Sequence, residues 1–467
     1  MENGLAARHG SRMGFAVLVA ILLLGLGLRL NEAWDGQAPV YDAAAYAAIA
    51  ANLEDGEGFT VGPQATQPSS NYSPGLPLFV AGLYAVTGGE HERLARIALA
   101  LIGTLSVLFT YFIGRRLMGE IQRTLKNGPY RGRNSASAEF SPLVGALVVA
   151  IYPALLEYQG MLMSEPLAAT LLSGGVLAVL WAWDGGPRRW LLPGALFGAL
   201  ALTRPEYLGV AVLVAGVIFL REAREWRPSL LRAAVFLLAT LVVIVPWTLR
   251  NAVALDRFVP LSTGGGQVLF AGTYLPSDGD PEKVGEEVVA ENPDLFAPQD
   301  AQRLRLEEIL ARLAADRYAG METDQALSKM GKEQLWDDVS EGPAEYAGFV
   351  AAKAWRIWSH GPRDVMREPV WEVLHWLLVA SGLLGLAILA WQRRWEALLL
   401  GTIFLAITAI SALLVASPRR VLVLVPLLAA LTSVTIAWIS ARSMSSHAYS
   451  EHNSSVALAD PDSLSRP

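Results

Sequence analysis

The sequence contains no cysteine. Disulfides, thiolate metal sites and cysteine nucleophiles are therefore excluded. Charge is also scarce. Only 17% of the 467 residues are Asp, Glu, Lys or Arg, against about a quarter in soluble domains. The six histidines show no HExxH or paired spacing, so no transition-metal site is indicated, and His360 reads as structural. Also missing are a Gly-rich nucleotide loop, an internal repeat and any Ser-His-Asp arrangement that sequence can assemble. No basic stripe with interleaved aromatics marks a nucleic-acid surface, so nucleic acid is not an expected partner.

What the chain does have is apolar length. Hydrophobic residues make up 53% of it, gathered in runs nearly free of charge. A helix crossing about 30 Å of hydrocarbon needs about 20 mostly apolar residues. About ten runs qualify or come close: 14–30, 97–113, 143–156, 167–183, 190–202, 207–220, 233–249, 373–391, 397–416 and 421–439. Several are short, and the two around Thr203-Arg204-Pro205 could form one broken hairpin. Residues 74–86 are apolar but too short to cross comfortably, and read as a re-entrant or interfacial helix. Arg8 and Arg12 precede the first run, as in a signal peptide, but Arg29 and Glu32 follow it in place of a small-residue cleavage site. The run is read as a retained first span.

Basic residues near span ends set the orientation. With the N-terminus in the cytoplasm, the loop holding Arg115, Arg116, Arg123, Lys126, Arg131 and Arg133 lies inside, as do Arg188-Arg189 and Arg393-Arg394. Arg419-Arg420 is the exception, at the outer end of the last span. The expected organisation is a membrane catalytic module over 1–255, with a first outer loop at 31–96. An extracytoplasmic, mainly helical insert follows at 256–371, with helices near 302–314 and 324–336. C-terminal spans occupy 372–440, and a Ser-rich, disordered cytoplasmic tail 441–467.

The candidate chemistry lies at the outer span ends. Asp42 opens an Ala-rich helix that Gly56 or Gly58 would end, and Tyr46, Ile49 and Leu53 share its face. An isolated Asp there is ordinarily a plain N-cap. Glu165, in Ser164-Glu165-Pro166, stands in an otherwise uncharged run. A carboxylate at membrane depth costs roughly 2.5–3.5 kcal/mol and tends to mark a functional cavity; the bland alternative is a first-turn acid facing headgroup water. Arg204, Arg250, Arg419 and Arg420 lie at outer ends, against the positive-inside tendency. Guanidinium forks suit phosphate oxygens. Snorkelling to lipid phosphates is the simpler reading for one of Arg419 and Arg420, and Arg420 is taken as the binding residue. Tyr46 and Tyr72 are placed to stack on a sugar, although most Trp and Tyr here read as interfacial belt residues.

Several motifs recur together: Tyr41-Asp42 with Tyr46, Gly56-Glu57-Gly58-Phe59, Tyr72-Ser73-Pro74-Gly75-Leu76-Pro77, Leu162-Met163-Ser164-Glu165-Pro166, Leu202-Thr203-Arg204-Pro205-Glu206, Pro246-Trp247-Thr248-Leu249-Arg250-Asn251 and Pro260-Leu261-Ser262-Thr263. In order and spacing they resemble the GT-C superfamily of polyprenyl-phosphate-sugar transferases, in particular the protein O-mannosyltransferases and lipid A aminoarabinose transferases of glycosyltransferase families 39 and 83. The resemblance implies an all-α membrane bundle of about ten spans, with juxtamembrane helices in the first outer loop and a small outer insert. It implies Asp42 as general base, with Glu165 in the same cavity. Two positions depart from the pattern. Ala43 follows Asp42 where the family often has Glu, and Tyr72-Ser73-Pro74 stands where a lysine often precedes the proline pair. Phosphate binding would then rest on Arg204, Arg250 and Arg420.

The expected function is transfer of a sugar from a polyprenyl-phosphate donor to an acceptor hydroxyl on the outer face, with inversion. The acceptor is a lipid, polysaccharide or protein, and the setting is a bacterial plasma membrane. No cofactor is required; a divalent ion between Asp42 and Glu165 is left open but not indicated. The rivals are a transporter or flippase of lipid-linked saccharide, and a non-catalytic subunit of a glycan-assembly complex. The acids at span mouths on one side, without repeated halves, argue against a transporter.

Overall fold

A computed structural model describes residues 2–36, 38–62, 67–127, 135–359 and 361–457. His360, Arg131 and Arg133 lie outside the described residues. Among the described residues all regular structure is helical. The chain opens with α1 (Glu2–Asp35), and the loop expected to lie outside folds into α2 (Asp42–Glu54) and α3 (Gly75–Thr87). Next come α4 (Glu92–Asn127), then α5 (Ser135–Ile151) and α6 (Pro153–Gly160), a pair bent by 42°. The first part of the bundle is completed by α7 (Ser164–Ala182), α8 (Leu191–Thr203), α9 (Tyr207–Arg221) and α10 (Trp226–Ala254). The insert holds α11 (Gly265–Thr273), α12 (Val284–Glu291), α13 (Asp300–Arg303), α14 (Leu306–Arg317), α15 (Thr323–Glu341) and α16 (Pro343–Ser359). Finally α17 (Pro369–Trp391), α18 (Trp395–Leu413), α19 (Arg419–Leu422) and α20 (Val425–Ala457) return to the bundle.

Among the described residues, seven helices are long and apolar enough to cross a membrane, or eight if the bent pair is one span. The protein is a multi-pass integral membrane protein. The two remaining apolar runs become α8 and α9, of 13 and 15 residues. At 1.5 Å per residue they reach only about 20 Å, short of the hydrocarbon thickness. They part where Arg204, forced extended by Pro205 (φ −145, ψ 105), ends α8. The expected interfacial helix is α3, and the expected insert helices are α14 and α15. Helix α20 continues to Ala457, into the stretch read as a disordered tail, and 458–467 lie outside the described residues.

Two spans form the axis of the bundle. Helix α20 packs against α4, α5 and α17. A Cβ on Gly145 would lie 2.5 Å from the Ala429 carbonyl oxygen, and one on Gly382 3.1 Å from that of Leu428. In lipid no hydrophobic force draws helices together, so such close backbone approach carries the packing. Helix α7 is enclosed almost throughout, from Glu165 to Ala182, so the chemistry at its outer end rests on a rigid support. The insert has its own core of Phe270, Val284, Val288, Ile309, Leu310 and Leu327.

Arg29 shows how the sequence organises a bend. Helix α1 runs past its apolar stretch and buries Arg29 to 1% exposure. Pro153, lacking an N–H, leaves the Val149 carbonyl without its helical donor. Arg29 Nη2 donates to that oxygen at 2.9 Å, and Nη1 donates to the Ala150 and Gly25 carbonyls at 3.1 Å.

Candidate active site

Asp42 is positioned by an unusual helix start. Tyr41 precedes it at φ 51, ψ −124, a region bulky residues rarely enter. The N-cap position therefore belongs to Tyr41, and Asp42 is the first helical residue, with no capping bond. Its expected capping role is not the one it takes. Glu165 repeats the pattern: Leu162 lies at φ 52, Met163 occupies the N-cap, and neither Ser164 nor Glu165 caps. Backbone strain of about 1–3 kcal/mol per such residue persists where surrounding packing over-determines it, commonly at functional sites.

Both carboxylates face Arg419, from α19. Its Nη1 donates to Asp42 Oδ2 at 3.1 Å and its Nε to Glu165 Oε1 at 2.7 Å. The same Glu165 oxygen lies 3.3 Å from Arg204 Nη1. Arg204 Nε reaches Glu206 Oε1 at 3.0 Å, and Arg420 Nε lies 3.7 Å from that oxygen. The result is a string of alternating charges, Asp42, Arg419, Glu165, Arg204, Glu206 and Arg420. One end is open: the Asp42 side chain is 40% exposed and that of Arg419 34%, whereas Glu165 is fully buried. Burial pushes the Glu206 carboxyl up, but Arg204 and Arg420 more than offset this and hold it below its ordinary range. The second Glu165 oxygen is buried without a hydrogen-bond partner. Tyr158 lies under Arg419, 5.7 Å from the guanidinium carbon to the ring centre.

Asp42, Arg204, Glu206, Arg419 and Arg420 line a cavity of about 420 Å³ together with Tyr46, Ser73 and Gln267. Tyr46 is buried one helical turn from Asp42 and meets Tyr72 edge-on at 5.6 Å. Of the residues singled out from sequence, Asp42, Tyr46, Arg204 and Arg420 line this cavity. Glu165 joins through its ion pairs and Tyr72 through Tyr46. Arg250 does not come with them. Its Nη1 donates to the Ser69 carbonyl at 2.7 Å and its Nη2 to that of Phe59 at 3.1 Å, and it lies over Trp247. Those donors tie the first outer loop to α10 instead of facing a phosphate.

Sequence reasoning weighed Arg419 beside Arg420 and took Arg420 as the binding residue, and it gave Glu206 no role of its own. Neighbouring residues on one helical turn point about 100° apart, so the arginine doublet divides between the acids. Arg419 faces Asp42 and Glu165, whereas Arg420 approaches Glu206 and its Nη1 donates to the Val415 carbonyl at 2.6 Å. Glu206, two residues after Arg204, carried a signal in its spacing. Behind the cavity Lys353 is buried and donates to the Gly272 carbonyl; burial, and to a smaller degree Arg420, lower its ammonium pKa to about 7. An apolar groove of about 840 Å³ runs between α4, α7 and α8, from Leu167 near the cavity to Trp181, where Arg116 pairs with Asp184.

The bundle and its outer insert are similar to the archaeal oligosaccharyltransferase AglB from Archaeoglobus fulgidus, solved with an inhibitory peptide and a dolichol-phosphate. The TM-score is 0.53 at 13% identity, over 97% of this chain and 53% of that one. The chain has the GT-C fold. The same archaeal enzyme tethered to an acceptor peptide gives a TM-score of 0.52 at 14% identity, over 91% of this chain and 49% of that one. The chain thus spans about half the length of those oligosaccharyltransferases. ArnT from Cupriavidus metallidurans bound to undecaprenyl phosphate is matched over 91% of this chain and 77% of that one, at 16% identity. Its TM-score of 0.38 carries no argument. No protein-family model and no curated protein sequence matches the chain.

The Archaeoglobus enzyme has also been solved with zinc and sulfate. In this GT-C chain the cation between the two acids is the Arg419 guanidinium. Among the described residues no group of three metal-ligating side chains gathers.

Proposed function

We propose that this protein transfers a sugar from a polyprenyl-phosphate donor to an acceptor hydroxyl in the Asp42 cavity, on the extracytoplasmic face of a bacterial plasma membrane and with inversion. The observation that carries the reading is Arg419. One guanidinium bridges the open Asp42 and the buried Glu165 at the mouth of a cavity that Arg204 and Arg420 also line. The two non-bridging oxygens of the donor's phosphodiester can engage a guanidinium fork as the two oxygens of a carboxylate do. The donor phosphate takes over the Asp42-facing edge of Arg419, and Asp42 is released as a base. The acceptor oxygen then attacks the anomeric carbon, its proton passes to Asp42, and the bond from that carbon to the phosphate oxygen breaks with its electron pair on the leaving phosphate. Arg419, Arg204 and Arg420 stabilise the growing negative charge in a water-poor setting.

Glu165 acts by position. Fully buried, it anchors Arg419 and Arg204 through one oxygen and leaves Asp42 as the acid that meets substrate. The apolar groove along α4 and α7 supports the lipid part of the reading, since a polyprenyl tail lying there would put its phosphate beside the arginines. Asp42→Asn in purified protein, given a labelled polyprenyl-phosphate hexose, is expected to lose about a hundred- to ten-thousand-fold in turnover with its Tm retained. Wild-type turnover in that variant would remove Asp42 from the base role.

A further inference from the structure

A second polar cavity, of about 310 Å³, opens between the first outer loop, the start of α11 and the starts of α14 and α15. Gln267 lines both this cavity and the Asp42 cavity, and Leu306 lines the one while its neighbour Glu307 lines the other. The two spaces therefore meet at a common wall. The volume is at the small end of ligand sites, roughly 300–1,000 Å³.

The chemistry of the lining is specific. Arg257 is consumed by Glu322, with Nη2 donating to Oε1 at 2.8 Å and Nη1 to the other oxygen. Asp324 Oδ1 accepts from the Gly266 amide at 2.8 Å. Once these are satisfied, the wall offers one exposed carboxylate, Glu307, beside Ser69, Asn71, Thr263, Gln267 and Thr323. No ion pair or hydrogen bond involves Glu307 among the described residues. An anion would meet the carboxylate and find no unspent cation. An apolar chain would desolvate hydroxyls and amides without return. A neutral polyhydroxylated ring matches a wall that mixes donors and acceptors, and adjacent ring hydroxyls can donate together to one carboxylate.

Building on the transferase reading, we propose that this cavity is the acceptor subsite and that the acceptor is a neutral saccharide. One sugar unit is held by Glu307 and the neighbouring amides and hydroxyls, and the attacking hydroxyl points past Gln267 towards Asp42. Glu307 here is a specificity residue, touching the acceptor away from the reacting atoms.

Saturation-transfer NMR on full-length protein in nanodiscs tests this without any donor. The probes are maltose, cellobiose, lactose and mannobiose in one mixture, set against a neutral Ser/Thr-containing peptide and phosphatidylglycerol. Wild-type protein should transfer saturation to ring protons of at least one disaccharide and to neither alternative. Glu307→Arg and Asn71→Trp, both at exposed positions, should abolish that transfer, and Asp42→Asn should keep it. Affinity for the bound disaccharide should fall about tenfold or more in Glu307→Arg, the scale of one hydrogen bond to a charged group. Absence of transfer to all four disaccharides, equal transfer in Glu307→Arg, or preference for the peptide or the anionic lipid would overturn the proposal. Hydrolysis of the labelled donor to free sugar separates the two readings. If wild-type protein hydrolyses the donor and Asp42→Asn does not, the catalytic reading stands whatever the disaccharide result; if hydrolysis is absent from wild-type protein while disaccharides bind, the fault lies with the donor chemistry.

Discussion

Arg29 is fully buried and Arg419 about two-thirds buried, and their partners differ in kind. Arg29 donates to three backbone carbonyls, two of them at the bend between α5 and α6. Carbonyls of fixed helices cannot move aside, and the guanidinium completes a hydrogen-bond pattern that Pro153 broke. Arg419 holds two carboxylates, groups that a phosphate imitates. It sits at a cavity mouth with a third of its side chain exposed. A buried cation tied to backbone is a strut, and one tied to carboxylates beside open space can change partners. Arg250, bonded to the carbonyls of Phe59 and Ser69, falls on the side of Arg29, which is why sequence position alone misplaced it among the phosphate ligands.

The sharpest way to break this comparison is to remove each arginine in turn. Arg419→Ala should lower turnover by about a hundred- to a thousandfold, the scale of one lost transition-state donor. Its Tm should hold, because Arg204 still faces Glu165. Arg29→Leu should do the reverse. Loss of donors to buried carbonyls, at roughly 1–3 kcal/mol each, lowers stability by about 2–4 kcal/mol, while the specific activity of the folded fraction is kept. Thermal melts and turnover on the same two preparations read both effects; an Arg29→Leu protein that is stable but inactive would collapse the distinction.

Lys353 supplies a smaller test. Like Arg29 it is a buried cation on a backbone carbonyl, that of Gly272, but an ammonium can give up its proton where a guanidinium cannot. Its pKa of about 7 lies below the ordinary 10.5. Between those values the unfolded chain holds a proton that the folded protein has released, so stability rises with pH; below about 7 the folded state carries the buried charge and the gain is absent. From pH 7 to 8 the rise is on the order of 1 kcal/mol, visible as a higher Tm. Lys353→Met should flatten that slope, and an unaltered slope would assign the titration to another group.

Much of the fold was legible because the bilayer constrains it. Apolar length located every long span, Gly56 and the loop composition located α2, and the short run at 74–86 became α3. Where the reading needed correction, the cause was a local backbone event. Pro205 divided an apolar stretch into two helices too short to cross, and Tyr41 at positive φ took Asp42 out of the capping position. Glu165 stood out as the one charge between Tyr158 and Trp183, and Asp42 through its place at a helix start within the recurring motifs. The choice between Arg419 and Arg420 was not readable, since a doublet carries no information on which member meets Asp42 and Glu165.

The sequence by itself determined that the chain crosses a membrane, roughly where, and which acids and arginines collect at the ends of its spans. Burying about 20 apolar residues per crossing is a local requirement, written in consecutive residues. The tertiary structure alone decided that α2, α7, α8 and α19 deliver their charges to one cavity and that Arg250 is kept out of it. Those pairings join residues hundreds of positions apart, and they depend on how rigid helices pack, which no short stretch of chain encodes.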